Sequence, residues 1–192
     1  NKHKISKDLD LLVSQSIRCR EILKKLSLNP NIEDEFIDSN LSLNDYVKEI
    51  VRSYQEISNK EFIINLENYK NPIKTHKSIE IIYGLRNFIG NANKFSKKKI
   101  EIFLSSDNKT TNIIIRDDGF GFPKDLIDKH RLGEPYIRTA NQENILKYGL
   151  GLGTFIGKTL LEKNFAEIFF KNSKKKGAEV LIRWNNKDLK KI

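Results

Sequence analysis

Asn87, Asn91 and Lys94 stand four and three residues apart, a spacing that puts all three on one face of a helix. Two amide oxygens and an ammonium on one face suit a magnesium–phosphate group. Magnesium takes oxygen ligands and keeps several waters, while lysine neutralises phosphate. Further along, Asp117-Asp118-Gly119-Phe120-Gly121 follows an apolar run. A carboxylate there, beside glycines that permit positive φ and close backbone approach, can accept a hydrogen bond from an amino group such as that of adenine. Gly149-Leu150-Gly151-Leu152-Gly153 then opens a further periodic segment, and the unpaired N–H groups at a helix start attract phosphate. Each segment alone has a plainer reading, as a solvated helix face, a turn or a tight glycine bend. The three together describe one nucleotide pocket. Gly153 to Thr159 imitates a P-loop, but that motif needs four residues between its glycines and only three separate Gly153 from Gly157.

The elements that must hold these residues follow from hydrophobic period and turn chemistry. The spacing predicts a helix over Ser78–Phe95 with Ile79, Ile82, Leu85 and Ile89 inward. Leu41 and Leu43 suggest a short strand, with Asn44 capping a helix that runs to about Tyr54. Phe62–Leu66 reads as a strand, as do Ile100–Leu104 and Thr111–Arg116, the last two joined by the polar turn Ser105–Lys109. Residues 119–148 read as a long mobile loop, Gly149–Lys163 as a glycine-opened helix, and Ala166–Phe170 with Ala178–Trp184 as closing paired strands. The expected fold is a two-layer α/β sandwich, helices on one face of a mixed sheet.

Ahead of this domain, Ile5, Leu9, Leu12, Ser16, Cys19, Leu23 and Leu26 form a heptad seam. It predicts a helix that packs on other helices until Asn29-Pro30-Asn31 ends it. The expected organisation is a partial helix of a helical bundle at 1–29, a linker at 30–40 and a nucleotide-binding domain at 41–186 with a long loop at 120–148.

Composition sets the outer bounds. In 192 residues, 38% hydrophobic and 31% charged, there is room for one ordinary domain and an appendage. Apolar runs such as Ile113–Ile115 fall far short of the roughly 20 residues of a membrane-spanning helix. The start at Asn1, with no methionine or charged leader, predicts a piece of a longer chain. One cysteine and three histidines exclude a disulfide framework and point to a reducing, cytoplasmic setting. The net charge of +10 comes from scattered short runs such as Lys97–Lys99 and Lys174–Lys176, without aromatic interleaving. No dedicated nucleic-acid surface is expected from that pattern.

In this order and spacing, the three segments resemble the N, G1 and G2 boxes of the histidine kinase catalytic domain, in the wider family that includes gyrase, Hsp90 and MutL. The resemblance covers residues 40–185. Leu85 to Ser96 is similar to the N box, Asp117 to Gly121 to the G1 box and Gly149 to Gly153 to the G2 box, while Glu134 to Thr139 resembles the F box of an ATP lid with Tyr136 where Phe is usual. The fold implied is the Bergerat ATP-binding sandwich. By the same resemblance Asn91 ligates magnesium, Asn87 and Lys94 meet the phosphates, and Asp117 binds the adenine amino group. Gly119, Gly121, Tyr136, Gly149, Leu150, Gly151, Leu152 and Gly153 line the ATP site, and Arg138 is a lid candidate for the γ-phosphate. Hydrolysing members of the wider family place a glutamate general base one turn before the magnesium asparagine; this chain has Asn87 there. A neutral imidazole needs no such base, so the resemblance implies transfer from ATP to histidine and thence to a response regulator.

Arg18 to Leu23, Leu132 to Thr139 and Gly151 to Glu162 are similar to the RegB/PrrB redox-responsive kinases, which implies a homodimer through the N-terminal helix and a membrane anchor only in upstream segments. Two readings of Cys19 stand. It is an oxidant-sensing thiol, given that a symmetric dimer brings equivalent seam positions together and a disulfide needs Cα atoms within about 7 Å; or it is a small apolar side chain in the seam. None of His3, His76 and His130 is followed by the acidic residue and proline expected of a phosphoacceptor, so self-phosphorylation is not expected. Two rivals remain, an ATPase that works as a dimerising clamp and a basic binding module without catalysis.

Overall fold

The computed structural model describes residues 41–69, 72–75, 78–135, 152–174 and 176–192. The chain divides into two units at Asp38/Ser39, and the described residues all belong to the second. The N-terminal seam, Cys19 included, lies outside them.

Strand β1 (Leu41–Ser42) pairs antiparallel with β3 (Lys74–Thr75) and leads into helix α1 (Leu43–Gln55). The cap of α1 is Ser42 and not Asn44. Asp45 N–H donates to Ser42 Oγ (3.4 Å) and Ser42 N–H to Asp45 Oδ2 (2.9 Å), a reciprocal capping box that starts the helix two residues earlier than expected. Leu43, Tyr46, Val47, Ile50 and Val51 form its buried stripe.

After β2 (Glu61–Tyr69), helix α2 (Ile79–Phe95) is capped by Ser78, whose Oγ accepts from Ile81 N–H (3.3 Å). Ile81, Ile82, Leu85, Phe88, Ile89 and Ala92 are buried. Ile79 was expected inward but is 43% exposed. At 100° per residue it sits about 200° from Ile81, on the far side of the helix. Strands β4 (Lys99–Ser106) and β5 (Thr110–Asp117) alternate strictly, burying Ile100, Ile102 and Leu104 from one and Thr111, Ile113, Ile115 and Asp117 from the other.

Helix α3 (Lys124–Asp128) lies within the stretch expected to be loop, anchored by buried Leu126. Helix α4 (Leu152–Lys163), strands β6 (Ala166–Asn172) and β7 (Ala178–Asn185), and a short helix α5 (Asn186–Leu189) complete the order. The large sheet runs β2-β4-β5-β7-β6, with β2 and β4 parallel around the α2 crossover and every other pair antiparallel. It is the expected mixed sheet with packed helices. Trp184 is fully buried and donates Nε1–H to the Asn164 carbonyl (2.9 Å), fastening β7 to the end of α4. On the sheet's other face Glu179 joins Arg116 (2.7 Å) and Lys171 (2.8 Å) across three strands. Burial alone would raise the Glu179 pKa, but those two cations outweigh it and hold the carboxyl below its usual range.

Candidate nucleotide site

Helix α2 presents Asn87 and Asn91 with their amides already tethered. Asn87 Nδ2 donates to the Tyr83 carbonyl one turn back (2.8 Å), and Asn91 Nδ2 donates to Thr154 Oγ1 on α4 (3.2 Å). With each Nδ2 donating, both carbonyl oxygens keep their accepting capacity. Asn87 Oδ1 and Asn91 Oδ1 lie 3.4 and 3.5 Å from the point where a β-carbon on Gly153 would stand, with Asn91 Nδ2 at 3.6 Å. Two neutral oxygen donors thus converge on one small space at the start of α4, and any side chain at 153 would fill it. Among the described residues no cluster of three His, Cys, Asp or Glu gathers, so a hard cation here would take these amide oxygens, with water and phosphate completing its shell. Lys94 ends the same helix, exposed, its Nζ 5.2 Å from the Phe95 ring centroid.

The close approach of α2 and α4 rests on glycines that spacing alone did not single out. A β-carbon on Gly84 would stand 2.5 Å from Leu161 Cγ, and one on Gly157 3.1 Å from Asn87 Cβ and 3.3 Å from the Gly84 carbonyl oxygen. Leu152 and Gly153 stand in the first turn of α4. Gly149, Leu150, Gly151, Tyr136 and Arg138 lie outside the described residues.

Asp117 is 8% exposed at the end of β5. Its Oδ1 accepts from Gly119 N–H (2.8 Å) and Ala178 N–H (3.2 Å), so the second carboxylate oxygen keeps its accepting capacity. Burial pushes the carboxyl above the ordinary range, and neighbouring Asp118 adds to this; the two N–H groups and Lys60 oppose it without reversing it.

The turn after Asp117 is closely fitted. A β-carbon on Gly119 would lie 2.3 Å from the Phe95 carbonyl oxygen. Gly121 has φ +81°, and Asn172 grips the next residue by accepting from Phe122 N–H (2.7 Å) and donating to its carbonyl (2.9 Å). Three contributors had no clear signal in the sequence. Gly177, at φ +92°, packs so tightly that a β-carbon would fall 1.8 Å from the Asp117 carbonyl oxygen. Asp118 accepts from the N–H groups of Lys97 (2.7 Å) and Lys98 (3.1 Å), tying the turn to the chain after α2. Lys60 donates to the Asn93 carbonyl and to that of Ser96 (2.7 Å), where the helix dipole favours a cation. These partners come from 20 to 60 residues away, so no local pattern points to them.

A profile of the family described as histidine kinase-, DNA gyrase B-, and HSP90-like ATPase matches residues 76–188. The chain is similar to the sensor histidine kinase RegB of Cereibacter sphaeroides, at 31% identity over 175 residues, covering 86% of this chain and 37% of that one. It is also similar to the histidine protein kinase SaeS of Staphylococcus aureus, at 27% identity over 176 residues, covering 86% and 49%. The chain therefore spans less than half the length of these relatives. In three dimensions it resembles the mycobacterial sensor histidine kinase MprB, with a TM-score of 0.63 at 20% identity over 76% of this chain and 97% of that chain. The catalytic domain of histidine kinase ThkA gives the same TM-score and identity, over 77% and 96%.

Proposed function

Because this chain belongs to the family of histidine kinase-, DNA gyrase B- and HSP90-like ATPases, we propose that residues 41–186 bind ATP with magnesium and present its γ-phosphoryl group to a histidine. The observation that carries the reading is the convergence of the tethered Asn87 and Asn91 carbonyl oxygens on the space above Gly153. Asn91 would hold the magnesium ion, which when bound would neutralise phosphate charge. Asn87 and Lys94 meet the phosphates, and so do the N–H groups at the glycine-rich start of α4, with Gly149, Leu150, Gly151, Leu152 and Gly153 in contact. Asp117 accepts from the adenine amino group, with Gly119 and Gly121 letting the backbone approach the base. Tyr136 and Arg138 act from the lid, 120–148.

Asn87 stands where a general base would serve hydrolysis, and an amide cannot take a proton from water near neutral pH. Transfer to imidazole is therefore favoured over an ATPase cycle. In the parent protein residues 1–29 belong to the dimerisation helices and 30–40 to a linker; the phosphoryl group passes on to a response regulator. That parent is a homodimeric, membrane-anchored kinase with this portion on the cytoplasmic side, and Cys19 is its candidate redox sensor.

The test is calorimetric titration of the 192-residue chain with a non-hydrolysable ATP analogue and magnesium, beside Asp117→Asn. The substitution keeps an oxygen for the Gly119 and Ala178 N–H groups while removing the accepting carboxylate. One-site binding by the wild type and its loss in the variant support the reading; equal binding by both, or none by either, rejects it.

A further inference from the structure

The two asparagines are oriented in different ways, and the difference has a functional consequence. Asn87 is tethered within its own helix to the Tyr83 carbonyl (2.8 Å), a group that only accepts, so its amide has one satisfied orientation. Asn91 has its tether on another element, the Thr154 hydroxyl in the first turn of α4 (3.2 Å). We infer that Thr154 is a positioning residue for magnesium: its hydroxyl accepts from Asn91 Nδ2 and so holds Asn91 Oδ1 toward the space above Gly153. The inference rests on the function proposed above and deepens it.

A hydroxyl can donate or accept, so in principle Thr154 tolerates either orientation of the Asn91 amide. A cation at Oδ1 removes the ambiguity. Only the arrangement with Nδ2 toward Thr154 then leaves both groups satisfied, and polarisation of the amide by the cation strengthens the N–H donor in turn. Asn87 Oδ1 lies 3.4 Å from the Gly153 β-position, and Asn91 Oδ1 and Nδ2 lie 3.5 and 3.6 Å from it, so the Asn91 amide stands edge-on to that space and the Thr154 bond to Nδ2 is what leaves Oδ1 as the end open to a cation. Without the hydroxyl, the Asn91 amide samples orientations that turn its NH2 toward the cation, and metal binding pays for the realignment. Through this one bond, the metal ligand on α2 depends on the first turn of α4 being in place.

The test uses the whole chain, a fluorescent ATP analogue and titrated magnesium, with thermal unfolding as a control on folding. Thr154→Val keeps the shape and removes the hydroxyl. The half-saturating magnesium concentration should rise roughly fivefold, the factor one net hydrogen bond contributes, while affinity for magnesium-free nucleotide stays at the wild-type value. Thr154→Ser should restore the wild-type magnesium dependence. On an Asn91→Ala background, Thr154→Val should add nothing further. Unchanged magnesium dependence in Thr154→Val, failure of Ser to rescue, or an additive double variant would overturn the inference while the nucleotide site stands. Wild-type protein that binds no nucleotide would overturn the site itself and this inference with it.

Discussion

Burial shifts Asp117 toward its neutral form relative to a free carboxyl, and its proposed task uses the charged one. Its folded-state pKa lies above the unfolded value because burial outweighs the Gly119 and Ala178 N–H groups. Between those two pKa values the folded protein binds more protons than the unfolded one, so this group makes stability fall as pH rises through the window. Above it, the folded domain carries the cost of a buried carboxylate. Asp117→Asn removes that cost and keeps Oδ1 as an acceptor. We expect the variant to melt at a higher temperature than wild type at pH 7 without nucleotide, and the gap to close as pH falls through the carboxylate range. Nucleotide affinity should be lost at every pH. A variant less stable than wild type at pH 7 would mean the carboxylate is stabilised in the fold. Asp117, Asn87 and Asn91 were legible as candidates because residue type and local spacing carry the signal. Thr154 was not, because the bond that gives it a role joins positions 63 residues apart.

The helices α2 and α4 bring the candidate ligands together, and the Gly84–Gly157 crossing fixes how closely they approach. Alanine in a helix interior gains about 1 kcal/mol over glycine. Against that, a Gly84 β-carbon would meet Leu161 Cγ at 2.5 Å, and Leu161 is fully buried; overpacking of this kind costs about 1–3 kcal/mol. The clash should win. Gly84→Ala is expected to lower stability by about 1 kcal/mol in urea unfolding and also to weaken magnesium coupling, because widening the crossing lengthens the Asn91–Thr154 bond. Equal or higher stability would show that α4 shifts without cost. The main elements were legible from their periods, since α2, β4 and β5 each bury one clean face. Boundaries and short pieces were not. Ser42 took the cap from Asn44 because its partner Asp45 completes a box, while two-residue β3 and four-residue α5 are too short to show any period.

At the scale of the whole molecule, the chain carries the parts proposed to hold ATP and no histidine in the sequence context of an acceptor. His3 is followed by Lys4, His76 by Lys77 and His130 by Arg131, and none of these neighbours can orient an imidazole for attack as a carboxylate does. The family and the sandwich fold were legible because three short motifs recur in a fixed order. Incubated with magnesium and γ-labelled ATP, the 192-residue chain should acquire no acid-labile, base-stable label and should release phosphate only slowly, since Asn87 cannot activate water. Adding a separately expressed helical pair that bears a histidine followed by an acidic residue and a proline should place label on that histidine, and Asp117→Asn should abolish the transfer. Steady phosphate release without an acceptor would point instead to a clamp-like ATPase. Label on the chain's own histidines would mean that close approach to the γ-phosphate suffices, without the acidic neighbour.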